Sequence, residues 1–521
     1  MKIRTDTLVL FLILTLLVSG CRVTQQPEDN HNNTPPSNLP WIETVDSQFH
    51  GGGSDQEELP TLSGQPHMDL SIDITTVPEQ KQTRLGPFYG LLPELVWSPS
   101  GRYLAIFGEK NGYGLWIWDQ QTQTCRRLVQ LLDRSGQRLT SLAFFGWNTS
   151  GDSLLYAVDG IQSEESLLGE NGVLVRQIRL DGRDKILAWL PGDGTFIRSQ
   201  LFHRESGRLL LHRGQNLWVV DTNNGRYKQV KSDLPVWDGL FSVTPSPTGA
   251  KVVYPEPDLT KHRLVILDMN SGEETAVGDA NEYSFYPVWS PDGEKLAFLS
   301  ARAQGEGYDF QIGEDGPLPP ATKITVTNKQ GQLLAQLIPP HQEKAGAPVW
   351  SLNSNRLAFL TASVGQGTEE FPEIKWRRLL MTNSNNKLQD GGTVSGDWLI
   401  IGGCTPDGNS VLLYSYEIGG GVTAIVQGPL GKTTTLAQGA VDEAPVWWDG
   451  KLILPHITEN NGDHLDTQLY LHDSKGIARV LTSDPGWKSG VQISGGYMAY
   501  TNADNQNYPY PLTVVVEPLS Y

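Results

Sequence analysis

The densest cluster of groups able to hold a metal or move a proton in this 521-residue chain is HITENNGDHLD at 456–466, which places His456, Glu459, Asp463, His464 and Asp466 within one short stretch. Imidazole nitrogens with a carboxylate suit zinc, and several carboxylates together suit calcium. The spacing fits neither an H-E-x-x-H helix nor an EF-hand loop, so the stretch reads first as a solvated polar loop and only second as a weak metal site. The chain has no G-x-S-x-G elbow, Walker loop or dinucleotide fingerprint. Cys125 and Cys404 lack zinc spacing and are too few for a disulfide framework; both are expected to be free thiols. No cofactor is expected, with calcium the one ion admitted.

The elements that would carry any such group declare themselves by repetition. Residues 287–300 read PVWSPDGEKLAFLS and residues 348–361 read PVWSLNSNRLAFLT. Variants of the phrase recur as VWSPSGRYLAIFG (96–108), GWNTSGDSLLYAV (146–158), ESGRLLLHR (205–213), VTPSPTGAKVVYP (243–255), CTPDGNSVLLYS (404–415), PVWWDGKLILPH (445–456) and SGGYMAYTN (494–502). Nine units at about 40–60 residues apart mark a propeller or a solenoid.

Each unit has the same physical content. An aromatic strand end (Trp97, Trp147, Trp289, Trp350, Trp447) enters a Ser-Pro-Asp-Gly type of turn, in which Pro presets φ and Gly accepts φ > 0. A short strand follows, and after a variable loop comes LWIWD (115–119), LWVVD (217–221), LVILD (264–268) or LYLHD (469–473). One more strand completes an antiparallel meander of about four strands, and no helical periodicity interrupts the series. The paired signatures resemble the repeat of TolB-type β-propellers over roughly residues 90–518, although units three, seven and nine lack the tryptophan or the proline. That resemblance implies an all-β fold, a single propeller of about eight blades with seven to nine allowed, and a role exercised through protein contacts. The C-terminal PLTVVVEPLSY is expected to close the ring beside a strand from the start of the body, with 68–77 the candidate.

The long insertions fall between the second and third strands of their units, and they are acidic. They hold Asp159, Glu164, Glu165 and Glu170; Glu256 and Asp258; Glu306, Asp309, Glu314 and Asp315; Glu369, Glu370 and Glu373; and Glu459, Asp463 and Asp466. Tyr308, Phe310, Phe371 and Trp376 interleave with them, against few bases, chiefly Lys261, Arg302 and Lys375. Carboxylates with aromatic anchors suit a basic or mixed peptide or protein partner, although the loops of any acidic secreted protein are acidic too. The contact set read from the sequence is Glu164, Glu165, Tyr308, Asp309, Phe310, Glu314, Asp315, Glu369, Glu370, Phe371 and Trp376.

The chain opens with Lys2 and Arg4 before an apolar run from Leu8 to Val18, too short for the roughly 20 residues of a spanning helix and right for a secretory signal. Val18-Ser19-Gly20-Cys21 resembles a bacterial lipobox, which implies that Cys21 is lipidated. Residues 1–20 therefore read as signal, 21–82 as lipidated terminus and polar linker, and 83–521 as the propeller. Without residues 1–20 the chain has 38 basic and 57 acidic residues, a balance that repels nucleic acid. Together these features point to an exported, membrane-anchored lipoprotein that touches the membrane through its lipid alone and works as a non-enzymatic binding or scaffold protein. The alternative is an envelope hydrolase or lyase with a carboxylate or metal site at the propeller funnel.

Overall fold

The computed structural model describes the chain from Asp73 to Leu519, apart from connections of which the longest are 132–141, 161–171, 235–242, 303–320 and 365–373. The described strands form nine antiparallel sheets arranged as the blades of one β-propeller. Blade one takes Glu94–Trp97, Tyr103–Glu109, Tyr113–Asp119 and Thr124–Leu131 in order from the inside. Blades two to eight follow the same order over 142–191, 197–231, 244–277, 282–337, 344–393, 398–438 and 446–480. Blade nine is composite: Trp487–Ser494, Tyr497–Ala503 and Leu512–Pro518 come from the C-terminus, then Gln82–Phe88 and, outermost, Asp73–Val77.

The second strands read as continuous apolar runs, SLLYAV for example, because a blade is covered on both sides. In Ser153–Gly160, Leu154, Tyr156 and Val158 pack toward blade one while Leu155 and Ala157 pack toward blade three. The described core accordingly resolves into nine clusters, each spanning one junction between consecutive blades, and the cluster of Leu85, Phe88, Val514 and Trp97 joins blade nine back to blade one. The ring is closed by packing as well as by pairing.

The repeated tryptophans sit at these junctions. Trp147, Trp289 and Trp350 are buried, and each indole N–H donates to a backbone carbonyl on the inner strand of the preceding blade: Val96 (2.9 Å), Thr244 (3.1 Å) and Val288 (3.1 Å). The turn that follows holds itself together. Ser290 Oγ accepts the Lys295 N–H at 2.9 Å and donates to Asp292 at 2.6 Å, while Gly293 takes φ 70°. Ser351 with Asn353, Ser246 with Thr248 and Thr405 with Asp407 repeat the arrangement with other side chains. The aspartate that ends LVILD organises a different turn. Asp268 accepts the N–H groups of Asn270 and Ser271 just beyond it and pairs with Lys251 at 2.9 Å.

Every one of the nine units forms a blade, the upper bound of the expected seven to nine and one more than the central expectation of about eight. The closing strand differs from the sequence expectation. Gln82–Phe88 pairs with Leu512–Pro518, and the alternating segment at 73–77 lies one strand further out, pairing from Asp73↔Gly86 to Val77↔Gln82. The strand that closes the ring contributes Leu85 and Phe88, both fully buried in the junction with blade one.

Trp289→Ala and Trp350→Ala should each cost about 3–5 kcal/mol in urea unfolding, the usual range for truncating a buried aromatic. A loss below about 1 kcal/mol would show that these rings do not hold the junctions. Cys125 and Cys404 are both free, on blades one and seven. Burial pushes each thiol up to about 12, so thiol reagents should react slowly with the native body and promptly once it is unfolded.

Candidate functional face

Alternate connections of an antiparallel meander leave opposite ends of the sheet. The Ser-Pro-Asp-Gly turns join first to second strands, so all lie on one face of the ring. The connections at 161–171, 257–262, 303–320, 365–373 and 461–464 join second to third strands and all leave the other face. The turn face is internally tied: the Asp292 N–H donates to Ser354 Oγ of the next blade at 3.0 Å, and Lys295 Nζ donates to the Ser354 carbonyl at 3.2 Å. Asp292 and Asp407 belong to this tied face, where hydroxyl and backbone donors outweigh partial burial and hold both carboxyls below their usual range.

Glu164, Glu165, Tyr308, Asp309, Phe310, Glu314, Asp315, Glu369, Glu370, Phe371, Asp463 and His464 lie outside the described residues. Trp376 is described, and its half-buried ring packs into the junction of blades six and seven and crosses Gly346. Glu256 is committed to Arg263, whose guanidinium reaches both carboxylate oxygens at 2.9 and 3.2 Å. Asp466 accepts the Gly486 N–H at 2.8 Å where the chain enters blade nine.

His456 finds a partner that sequence proximity does not suggest. Its Nε2 lies 2.8 Å from Nε2 of His472 on the neighbouring strand, and its ring stacks on Tyr470 with centroids 4.3 Å apart. The two imidazoles are 4.9 Å apart between centroids and inclined by only 23°. That geometry suits an N–H···N hydrogen bond between two neutral rings, one donating and one accepting. Burial, with His472 alongside, pushes His456 down to about 4; burial likewise lowers His472. Among the described residues no three His, Cys, Asp or Glu side chains converge as a metal-holding group. The signal for the pair is the register His456↔Gln468 and Leu452↔His472, which no local motif carries.

The most charged interior lies where the ring closes. Arg84, on the N-terminal strand, pairs with Asp484 at 2.9 Å, and Asn502 donates to the same carboxylate at 3.1 Å. Gln82 donates to Glu517 across the closing strands at 2.6 Å. Lys488 is completely buried, with Nζ donating to the carbonyls of Asp484 (2.5 Å), Thr467 (2.9 Å) and Gly486 (3.2 Å). Burial, reinforced by the charge of Asp484, raises Glu517 to about 7 against the opposing hydrogen bond from Gln82. This network fastens the closing strand Gln82–Phe88 to the C-terminal strands of blade nine.

No family model matches the chain, and no curated protein matches it. Among solved structures it is similar to an oligogalacturonate lyase in complex with manganese, at 13% identity over 70% of this chain and 97% of that one, with a TM-score of 0.34. It is similar to Porphyromonas gingivalis dipeptidyl peptidase 4 at 12% identity, over 81% of this chain but 57% of the peptidase, with a TM-score of 0.42. A eukaryotic initiation factor matches at 12% identity over 77% of this chain and 91% of that one, with a TM-score of 0.46. At these identities and TM-scores the likeness carries no conclusion about what this chain does.

The two perturbed groups shape stability from opposite sides. Glu517 has a folded value raised above its ordinary 4.5, so its contribution is full below pH 4.5 and is lost as pH rises through about 7. That loss amounts to about 3 kcal/mol at most. His456 is depressed, so its contribution is full above 6.5 and is lost as pH falls through about 4. Glu517→Gln should therefore narrow the stability difference between about pH 5.5 and about pH 8.5 in urea titrations. An unchanged difference would mean that Glu517 is not a buried titrating group.

Proposed function

We propose that this chain is a non-enzymatic binding or scaffold protein of a cell envelope, lipid-anchored through Cys21 and engaging a protein or peptide with its long-loop face. The observation that carries the reading is the asymmetry of the ring: the longer second-to-third-strand connections leave one face, while the other is occupied by short turns bonded from blade to blade. A rigid frame that displays variable loops on one side is the common way to place recognition on a shared architecture. The loops' carboxylates and aromatics favour a basic or mixed partner. The WSPDG-type repeat, similar to that of TolB-type propellers, supports a role through protein contacts, and the Val18–Cys21 sequence supports the anchor.

Capture from envelope extract should identify a partner whose association slows as salt rises, since carboxylate steering fades beyond a Debye length of about 8 Å at physiological ionic strength. Charge reversal at Glu314/Asp315 and Glu369/Glu370 should lower the association rate by about tenfold, with Asp292 and Asp407 substitutions without effect. Salt-independent binding lost only through the turn-face substitutions would reverse the assignment of faces. Cys21→Ala should move the protein to the soluble fraction, and unchanged partitioning would refute the lipid anchor.

A further inference from the structure

Each blade ends at the rim in an outer strand whose far side pairs with no other strand among the described residues. Natural sheets blunt such edges, most simply with charge. The outer strands of blades one to four, six and eight do so, with Arg127, Lys185, Lys228, Glu274, Asp390 and Arg479 among their residues. That of blade seven, Thr433–Gln438, is uncharged but begins with three threonines and exposes no large apolar side chain. Blade five departs from the rule. Its outer strand Leu333–Leu337 reads LLAQL and carries no charge. Leu333 and Leu334 are 60% and 45% exposed, and Ile338, directly after them on the same edge, is 61% exposed. Three of the eight exposed large apolar side chains among the described residues therefore stand on six consecutive positions. A register shift opposite Val326 and Thr327 makes Leu334 the extra residue, so two successive leucines turn outward where regular alternation would show one.

The edge has two chemistries to satisfy. Its backbone takes an extended segment, and its leucines take apolar side chains at alternate positions of that segment. Charge decides between a second copy and another partner. The register Ile324↔Leu337 sets the loop-face end of the strand beside the point where the 303–320 connection returns to the blade. That connection contains Glu306, Asp309, Glu314 and Asp315 and no Lys or Arg, and Arg302 alone precedes it at its root. Lys323, the first base after it, is already paired with Glu282 at 2.8 Å. A second copy, with its own net charge of −18, is repelled, whereas a cationic partner is drawn in. We infer that the outer edge of blade five, from Leu333 to Ile338, is a strand-addition site for an extended segment of another protein, with alternating apolar residues along the edge and Lys or Arg at the loop-face end. The inference rests on the loop-face reading and deepens it: the connection supplies attraction, and the edge supplies the contact.

The test uses the full chain and two fluorescent peptides of alternating valine and threonine, one ending in a lysine pair and one in a glutamate pair, each made in both chain directions. The lysine peptide should bind, less tightly as salt rises, and amide hydrogen exchange at 333–338 should slow in its presence. Leu334→Gln/Ile338→Gln should weaken binding by about tenfold or more, while Leu352→Gln/Val480→Gln, at similarly exposed apolar positions elsewhere, should leave it within about twofold. The exchange measurement uses the unmodified chain and so holds whether or not the variants fold. Equal loss in both paired variants, tighter binding of the glutamate peptide, or protection confined to positions outside 333–338 would each overturn the inference. So would a concentration-dependent dimer of the chain that Leu334→Gln/Ile338→Gln abolishes, since the occupant would then be a second copy. The loop-face reading is judged separately, by the effect of charge reversal on the captured envelope partner, so either can fail without the other.

Discussion

A strand with an unpaired edge is a template for aggregation, and a ring of sheets avoids one only if its last blade is finished. Leu512–Pro518 is rich in valine and fully apolar through Val514, Val515 and Val516, so its open edge would be costly. Gln82–Phe88 covers that edge in register, with Thr83 opposite Val516 and Leu85 opposite Val514. Eight blades are built from contiguous chain, whereas the ninth joins residues as far as 435 positions apart. The polar groups found there follow from this constraint. Arg84 with Asp484 and Gln82 with Glu517 give the closing strand a specific register that valine packing alone would leave free to slip.

Within the ring, repetition is a solution to a repeated packing problem. Each blade has two buried faces, so each second strand is apolar through most of its length, and a large side chain is needed to span the junction. The indoles of Trp147, Trp289 and Trp350 meet that need and satisfy their own N–H groups on the preceding blade. Departures from the phrase keep the interaction and change the residue. In blade six Ser354 stands where blade five has Gly293 and accepts φ 59°, an uncommon conformation for a residue with a side chain. Its hydroxyl compensates by accepting the Asp292 N–H of blade five, so the deviation is itself part of the tie between blades.

Much of this is legible in the sequence because the signals are local. The nine phrases are legible because they recur, and the turn residues and terminal aspartates because most of their contacts lie within a few positions, as where Asp268 caps a turn that begins beside it. What the sequence hides depends on register between distant segments. Proximity along the chain groups His456 with Glu459 and Asp466, whereas the sheet turns His456 toward His472 and Asp466 toward Gly486. Alternation stands out at 68–77 and makes it the apparent closing strand; QTRLGPF lacks alternation, since its residues are buried on both sides.

Closure of blade nine by the chain's N-terminal strand holds the ring together, and a cross-link between positions 83 and 516 tests it most directly. Thr83→Cys with Val516→Cys, in a chain carrying Cys125→Ser and Cys404→Ala, should form an intramolecular disulfide under mild oxidation. The cross-linked protein should unfold cooperatively at higher urea concentration than its reduced form. Failure to form the bond in folded protein, together with proteolytic removal of residues 73–88 that leaves the remaining body equally stable, would contradict a ring closed in this way.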